Sequence, residues 1–213
     1  MSNDNVYERL FKQQAMIGKL ILDGNRDLEA VSRILQSIIT EREETLQKFT
    51  LLADLGVITI PEDTSLDSFL QKNRKKFYDV DKNITDANFP NPSRILKPGD
   101  KIGVRAYKQI VSVTTTTEER MKFLRQQPGN IFVGAHGIPP VFEQVKVKLP
   151  KGFWYASFDE EDRLPYLGSY HRVPVLHAYS RGVWHWHLGY FERVWHDTNA
   201  FFGFRDLSQT LDA

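Results

Sequence analysis

The chain contains no cysteine. That excludes disulfides, thiolate metal sites and cysteine nucleophiles, and is compatible with a reducing cytoplasm. Nor does either sign of charge prevail: 28 lysines and arginines against 27 aspartates and glutamates leave a net charge of +1. The whole-chain field gives no reason to expect nucleic acid or an anionic membrane as partner, and any such binding must come from a local patch. Long hydrophobic runs are missing too. Asp4 and Glu8 stand near the start in place of a basic stretch, and the apolar segment AMIGKLIL is broken by Lys19, so neither a signal peptide nor a membrane span is expected. At 213 residues the chain can bury a sizeable core, as one large domain or a small domain beside a larger one.

What is abundant is patterned apolar and aromatic sequence. Val6, Leu10, Ile17 and Ile21 keep a helical stripe, the Asp23-Gly24-Asn25 turn ends it, and Leu28, Val31, Leu35, Ile38 and Ile39 form a second stripe. Thr40 and Glu43 have capping-box spacing, which predicts a third helix to Leu55 with Gly56 as its stop, or one continuous helix from Asp27. Residues 1–56 therefore read as a helical segment and 57–213 as an α+β domain, the two forming one integrated domain or a pair. A helix-turn-helix reading of the segment fails on charge: Glu41, Glu43 and Glu44 against Arg42 would repel phosphate.

Beyond Gly56 the period changes. Val57 to Ile60 reads as a short strand ended by Pro61, and Leu66, Phe69 and Leu70 mark a helix begun near Thr64 or Ser65. Asn83 to Pro98, with three prolines, reads as a loop or covering arm. Lys101 to about Val113 reads as a strand, Thr116 and Glu119 as the capping box of a helix stopped by Pro128-Gly129, and Pro139 or Pro140 as the first turn of another helix. Phe153 to Phe158 and the region of Phe201, Phe202 and Phe204 read as strands, with Asp159 to Arg163 an exposed charged connection between them. The fold class expected is α+β: a helical N-terminal segment, a mixed α/β middle and an antiparallel, aromatic-rich C-terminal sheet.

The stretch from His171 to Trp195 reads as a β-hairpin turning at Ser180-Arg181-Gly182. A three-residue loop ending in glycine sets Ala178 against Trp184, His177 against His185 and Leu176 against Trp186. Pro174, Leu176, Trp184 and Trp186 then share one face, and Val173, Val175, His177, His185 and His187 the other. Three histidines on one face, with Glu192 five residues after His187, form a candidate set of ligands for a divalent transition metal such as zinc. Paired with water in an open coordination position, they would make a metal-dependent enzyme.

Two further candidates carry less information. Lys72, Arg74, Lys75 and Lys76 beside Phe77 and Tyr78 could hold a phosphate backbone and stack a base, although basic residues at a helix C-terminus also complement its dipole. Gly134, His136 and Gly137 form a glycine-rich turn before a helix, where free N–H groups can hold an anion. The turn lacks the lysine and hydroxyl of a phosphate loop and the third glycine of a dinucleotide fingerprint.

The string HWHLGYFE resembles the first motif of the cupin barrels, a His-x-His pair followed by a glutamate. Gly182 lies closer to the pair than that family's glycine, and no second motif supplies another histidine. The strings LPKGFWYASFDEEDRL, HRVP, LGYFERVW and FFGFRD, with RDLEAVSRILQSII near the N-terminus, resemble a group of uncharacterised hypothetical proteins from candidate-phylum bacteria over most of the chain. That resemblance implies a bacterial, cytoplasmic setting and carries no activity. No nucleophile, base and orienting group stand at a recognisable spacing. The expected function is a non-catalytic macromolecule-binding or regulatory one, with a protein as partner. A metal-dependent enzyme and single-stranded nucleic-acid binding are its alternatives.

Overall fold

The computed structural model describes residues 48–110, 114–179 and 183–207, all within a compact unit that spans Thr45–Ala213. The helical stripes expected over residues 1–47 lie outside these residues. Elements are labelled in chain order: β1 (Phe49–Thr59), α1 (Leu66–Asn73), β2 (Phe77–Val80), β3 (Lys101–Gln109), α2 (Thr117–Arg125), β4 (Asn130–Ile131), α3 (Ile138–Gln144), β5 (Phe153–Ala156), β6 (Tyr166–Leu167), β7 (Tyr170–Ala178), β8 (Trp184–Tyr190) and β9 (Asn199–Asp206).

The strands pair in the order β1-β3-β9-β5-β7-β8-β2, with β4 on β9 and β6 on β7. The sheet is mixed: β5 runs parallel to β9, and β2 parallel to β8. The architecture is α+β, but the two parallel pairs correct the expected antiparallel C-terminal sheet, which is also continuous with β1 and β3 from the first half of the chain. β9 lies inside it, paired with β3 along one edge and with β5 and then β4 along the other.

The third expected helix is a second correction. Its last turns are strand from Phe49 onward, and Gly56 lies inside β1 with φ +85°, where the chain makes a bulge opposite β3.

Other local signals hold. Ser65 caps α1, Thr116 and Glu119 form a capping box on α2, and prolines occupy the first turn of α3. The arm between β2 and β3 has no regular elements but buries Ile84, Phe89 and Leu96. His136 ties it down through a 2.8 Å bond between Nε2 and the Phe89 carbonyl.

The two faces of the sheet are covered unequally. On one, α1 and α3 bring Phe69 and Phe142 onto Phe77, Trp184 and Trp186, and Tyr155 stacks on Phe202. This face is the main core. On the other, α2 sets Phe123 against Tyr107 and Phe201, and the buried Trp195 lies over Phe158 and beside Gly189. That cover stops short of the ends of β5, β7, β8 and β2, where the histidine face begins. Among the described residues no helix is long and apolar enough to cross a membrane.

Candidate functional site

The hairpin register is the one its turn length implies: His177 faces His185, Leu176 faces Trp186 and Ala178 faces Trp184, with the Tyr179 N–H donating to the Val183 carbonyl. Residues 180–182 themselves lie outside the described residues. Alternation then puts His177, His185 and His187 on the incompletely covered face. On one side of the hairpin β5 adds Trp154, paired with His177. On the other, β2 is bulged between Phe77 and Asp79, so Tyr78 and Asp79 both stand against His185. Four strands thus contribute to one surface.

The rings on that surface touch in sequence. Tyr78 stacks on His185 at 5.1 Å between centroids, Tyr179 lies 4.7 Å from His185 and 3.8 Å from His177, and His177 stacks on Trp154 at 3.9 Å. His187 closes the circuit, 5.7 Å from Trp154 and 5.2 Å from His185. Exposure is graded across it: His177 is buried, His185 and His187 are half-buried, and Tyr78 is 77% exposed. A platform of π-faces open to solvent is a surface on which flat or apolar-faced rings can stack.

Its electrostatics favour neutral rings at His177 and His185. Burial foremost, then His185 and His187, pushes the His177 pKa down to about 4, and its Nδ1 is buried without a hydrogen-bond partner among the described residues. Burial and His187 likewise lower His185, against the opposing pull of Asp79. His185 Nδ1 lies 3.1 Å from His187 Nε2, so one nitrogen carries the proton that the other accepts. On its far side His187 Nδ1 sits 3.7 Å from Asp79 Oδ2. Lone pairs on neutral imidazoles are available to a proton donor or to a metal ion.

Of the four residues expected as metal ligands, His177, His185 and His187 share the platform, but Glu192 does not. It accepts from the backbone N–H of His171 and lies 2.9 Å from His171 Nδ1, with Glu161 3.3 Å from the same nitrogen. His171 is six residues before His177 on β7, about 20 Å along an extended strand. The carboxylate on the platform is Asp79, a residue that sequence reasoning missed.

The basic candidates lie on α1 and the turn that leads from it into β2. Lys72 pairs with Asp63, Lys76 donates to Asn73 and Arg74 to the Phe77 carbonyl, while Lys75 stands exposed. More cations gather there than the motif showed. Lys146, close enough to Lys76 to be lowered by it after burial, lies over the Phe142 ring, and Lys151 lies over Trp184. Phe142 stacks on Phe77, the residue before Tyr78. Lys146 and Lys151 therefore lie on the α1 and α3 side of the sheet, where Phe142 and Trp184 pack, whereas Tyr78 stacks on His185 on the other face.

The glycine turn is built differently from an anion site. The Gly134 N–H donates to the Phe158 carbonyl and that of His136 to Val133, leaving neither free. A carboxylate already packs there, because a Cβ on Gly134 would meet Asp159 Oδ2 at 2.9 Å. Asp159 itself is buried rather than exposed, with burial raising its pKa against bonds from the N–H groups of Ser93 and Glu160. Gly137 fits against Phe204 and Val133, which makes this turn a packing joint. A separate groove of about 270 Å3 over β1, β3 and β9 is floored by Gly103 and Gly203 and crossed by an Arg105–Asp54 ion pair. No cluster of catalytic groups among the described residues opens into it.

Comparison with known proteins returns no match, whether to family models, to curated proteins or to solved structures.

Proposed function

We propose that this chain is a non-catalytic macromolecule-binding protein whose ligand is single-stranded nucleic acid, with bases stacked on the platform and phosphates held by Lys75 and Lys76 at the start of the edge strand β2. The observation that carries this reading is Tyr78: a ring 77% exposed, backed by a stacked histidine and following Lys75 and Lys76 in the chain by three and two residues. Binders of single strands combine a positively charged track with aromatic side chains, and some use an open sheet face as the stacking surface. The near-zero net charge of the whole chain is no obstacle, since the cations that matter are local. Cysteine-free composition suits the cytoplasmic setting that this reading implies.

The test is fluorescence anisotropy with labelled oligo-dT and oligo-U of about a dozen nucleotides, at low salt. Wild type is expected to bind, Tyr78→Ala to weaken binding by about 1–3 kcal/mol, or roughly 5- to 150-fold, and Lys75→Glu with Lys76→Glu to weaken it further. Absence of binding by a folded wild-type protein overturns the reading and leaves the platform to a protein partner. Binding unchanged by these substitutions overturns it as well.

A further inference from the structure

We infer that Asp79, His185 and His187 form a binding site for a divalent first-row transition-metal ion. Each offers one ligand atom, and these atoms all lie within 4.8 Å of one another. His185 Nδ1 lies 3.1 Å from His187 Nε2 and His187 Nδ1 3.7 Å from Asp79 Oδ2, so an ion bound by both rings takes the place of the proton between them. His-x-His on β8 gives two nitrogens on the same face, and the β2 bulge supplies the carboxylate from the neighbouring strand. Two imidazoles and one carboxylate make a donor set suited to zinc or ferrous iron, with remaining coordination positions open to solvent.

The rings are positioned in advance. His185 is held between Tyr78 and Tyr179, and His187 lies against Trp154, so little ordering is left for an ion to impose. His177 falls outside the set and serves instead as the buried ring on which the platform rests.

A second group, Glu161, His171 and Glu192, also has its ligand atoms within 4.8 Å. There the His171 ring and backbone N–H are already engaged by Glu192. It serves as the internal control.

The experiment is titration of metal-free, untagged protein with zinc alone by calorimetry, and with cobalt(II) alone by visible absorption, with circular dichroism to establish folding. Wild type is expected to take up about one equivalent with cobalt bands in the visible. His187→Ala should lose both signals, Asp79→Asn should weaken binding at least about tenfold, and His171→Ala should leave both unchanged. Folded wild type that takes up no metal overturns the inference. So does uptake that survives His187→Ala or disappears in His171→Ala. Because the readout is the metal alone, the outcome stands apart from that of the oligonucleotide measurements.

Discussion

Arg120 on α2 is fully buried and donates to the Thr115 hydroxyl, the Gln109 side-chain oxygen and the carbonyls of His196 and Asn199, with its guanidinium against Trp195 and Phe201. Burial, then Arg193, lowers its pKa to about 9, which leaves it cationic at neutral pH. Lysine carries the charge but not the planar fork, so Arg120→Lys is expected to cost about 2–4 kcal/mol, read from the midpoint of urea unfolding. His177 gives a pH dependence of definite sign. Its folded pKa of about 4 lies below the ordinary value of about 6.5, so between these limits the unfolded chain binds a proton that the folded protein refuses. Its contribution is present above about pH 6.5 and is lost as pH falls toward 4. The loss is expected to be about 1–3 kcal/mol, and His177→Phe, which keeps the ring on Trp154, should flatten the stability profile between pH 7 and 5 relative to wild type.

β1 explains why one element was misread while its neighbours were legible. Its buried and half-buried residues Phe49, Leu52, Leu55 and Ile58 recur every three positions, because both faces of the strand are covered and bulges after Leu51 and Asp54 interrupt the period of two. Such spacing imitates a helix face. Gly56 deepened the ambiguity, since a helix stop and a bulge both call for a left-handed residue. Gly56→Ala is accordingly expected to destabilise by about 1–2 kcal/mol, measured by denaturant unfolding. The hairpin was legible because its turn length and alternation are local, and they set which histidines share a face. Helix starts at Ser65, Thr116 and Pro139 were legible for the same reason. Asp79 was not: it reaches the histidines through the parallel pairing of β2 with β8, a contact between segments far apart in sequence with no turn to announce it. Its strand was hidden in what read as a basic helix tail.

At the scale of the molecule, one mixed sheet has a fully packed face and a face whose cover ends at the platform, and Lys75 and Lys76 precede the strand that carries Tyr78. If about three phosphates are neutralised there, the slope of log K against log salt for single strands is expected near −2, and Lys75→Glu should bring it closer to zero. A slope unaffected by that substitution would place the electrostatic contact elsewhere. β9 has a consequence for how such a sheet is made. It is the last described strand in the chain, yet the ladder joining β1 and β3 to β5, β7, β8 and β2 runs through it alone. Among the described strands, the edges of β3 and β5 that β9 joins close only once Asn199–Asp206 has been made. Long-range pairing of this kind is slow and exposes aggregation-prone edges meanwhile, so refolding is expected to lose yield to aggregation as protein concentration rises.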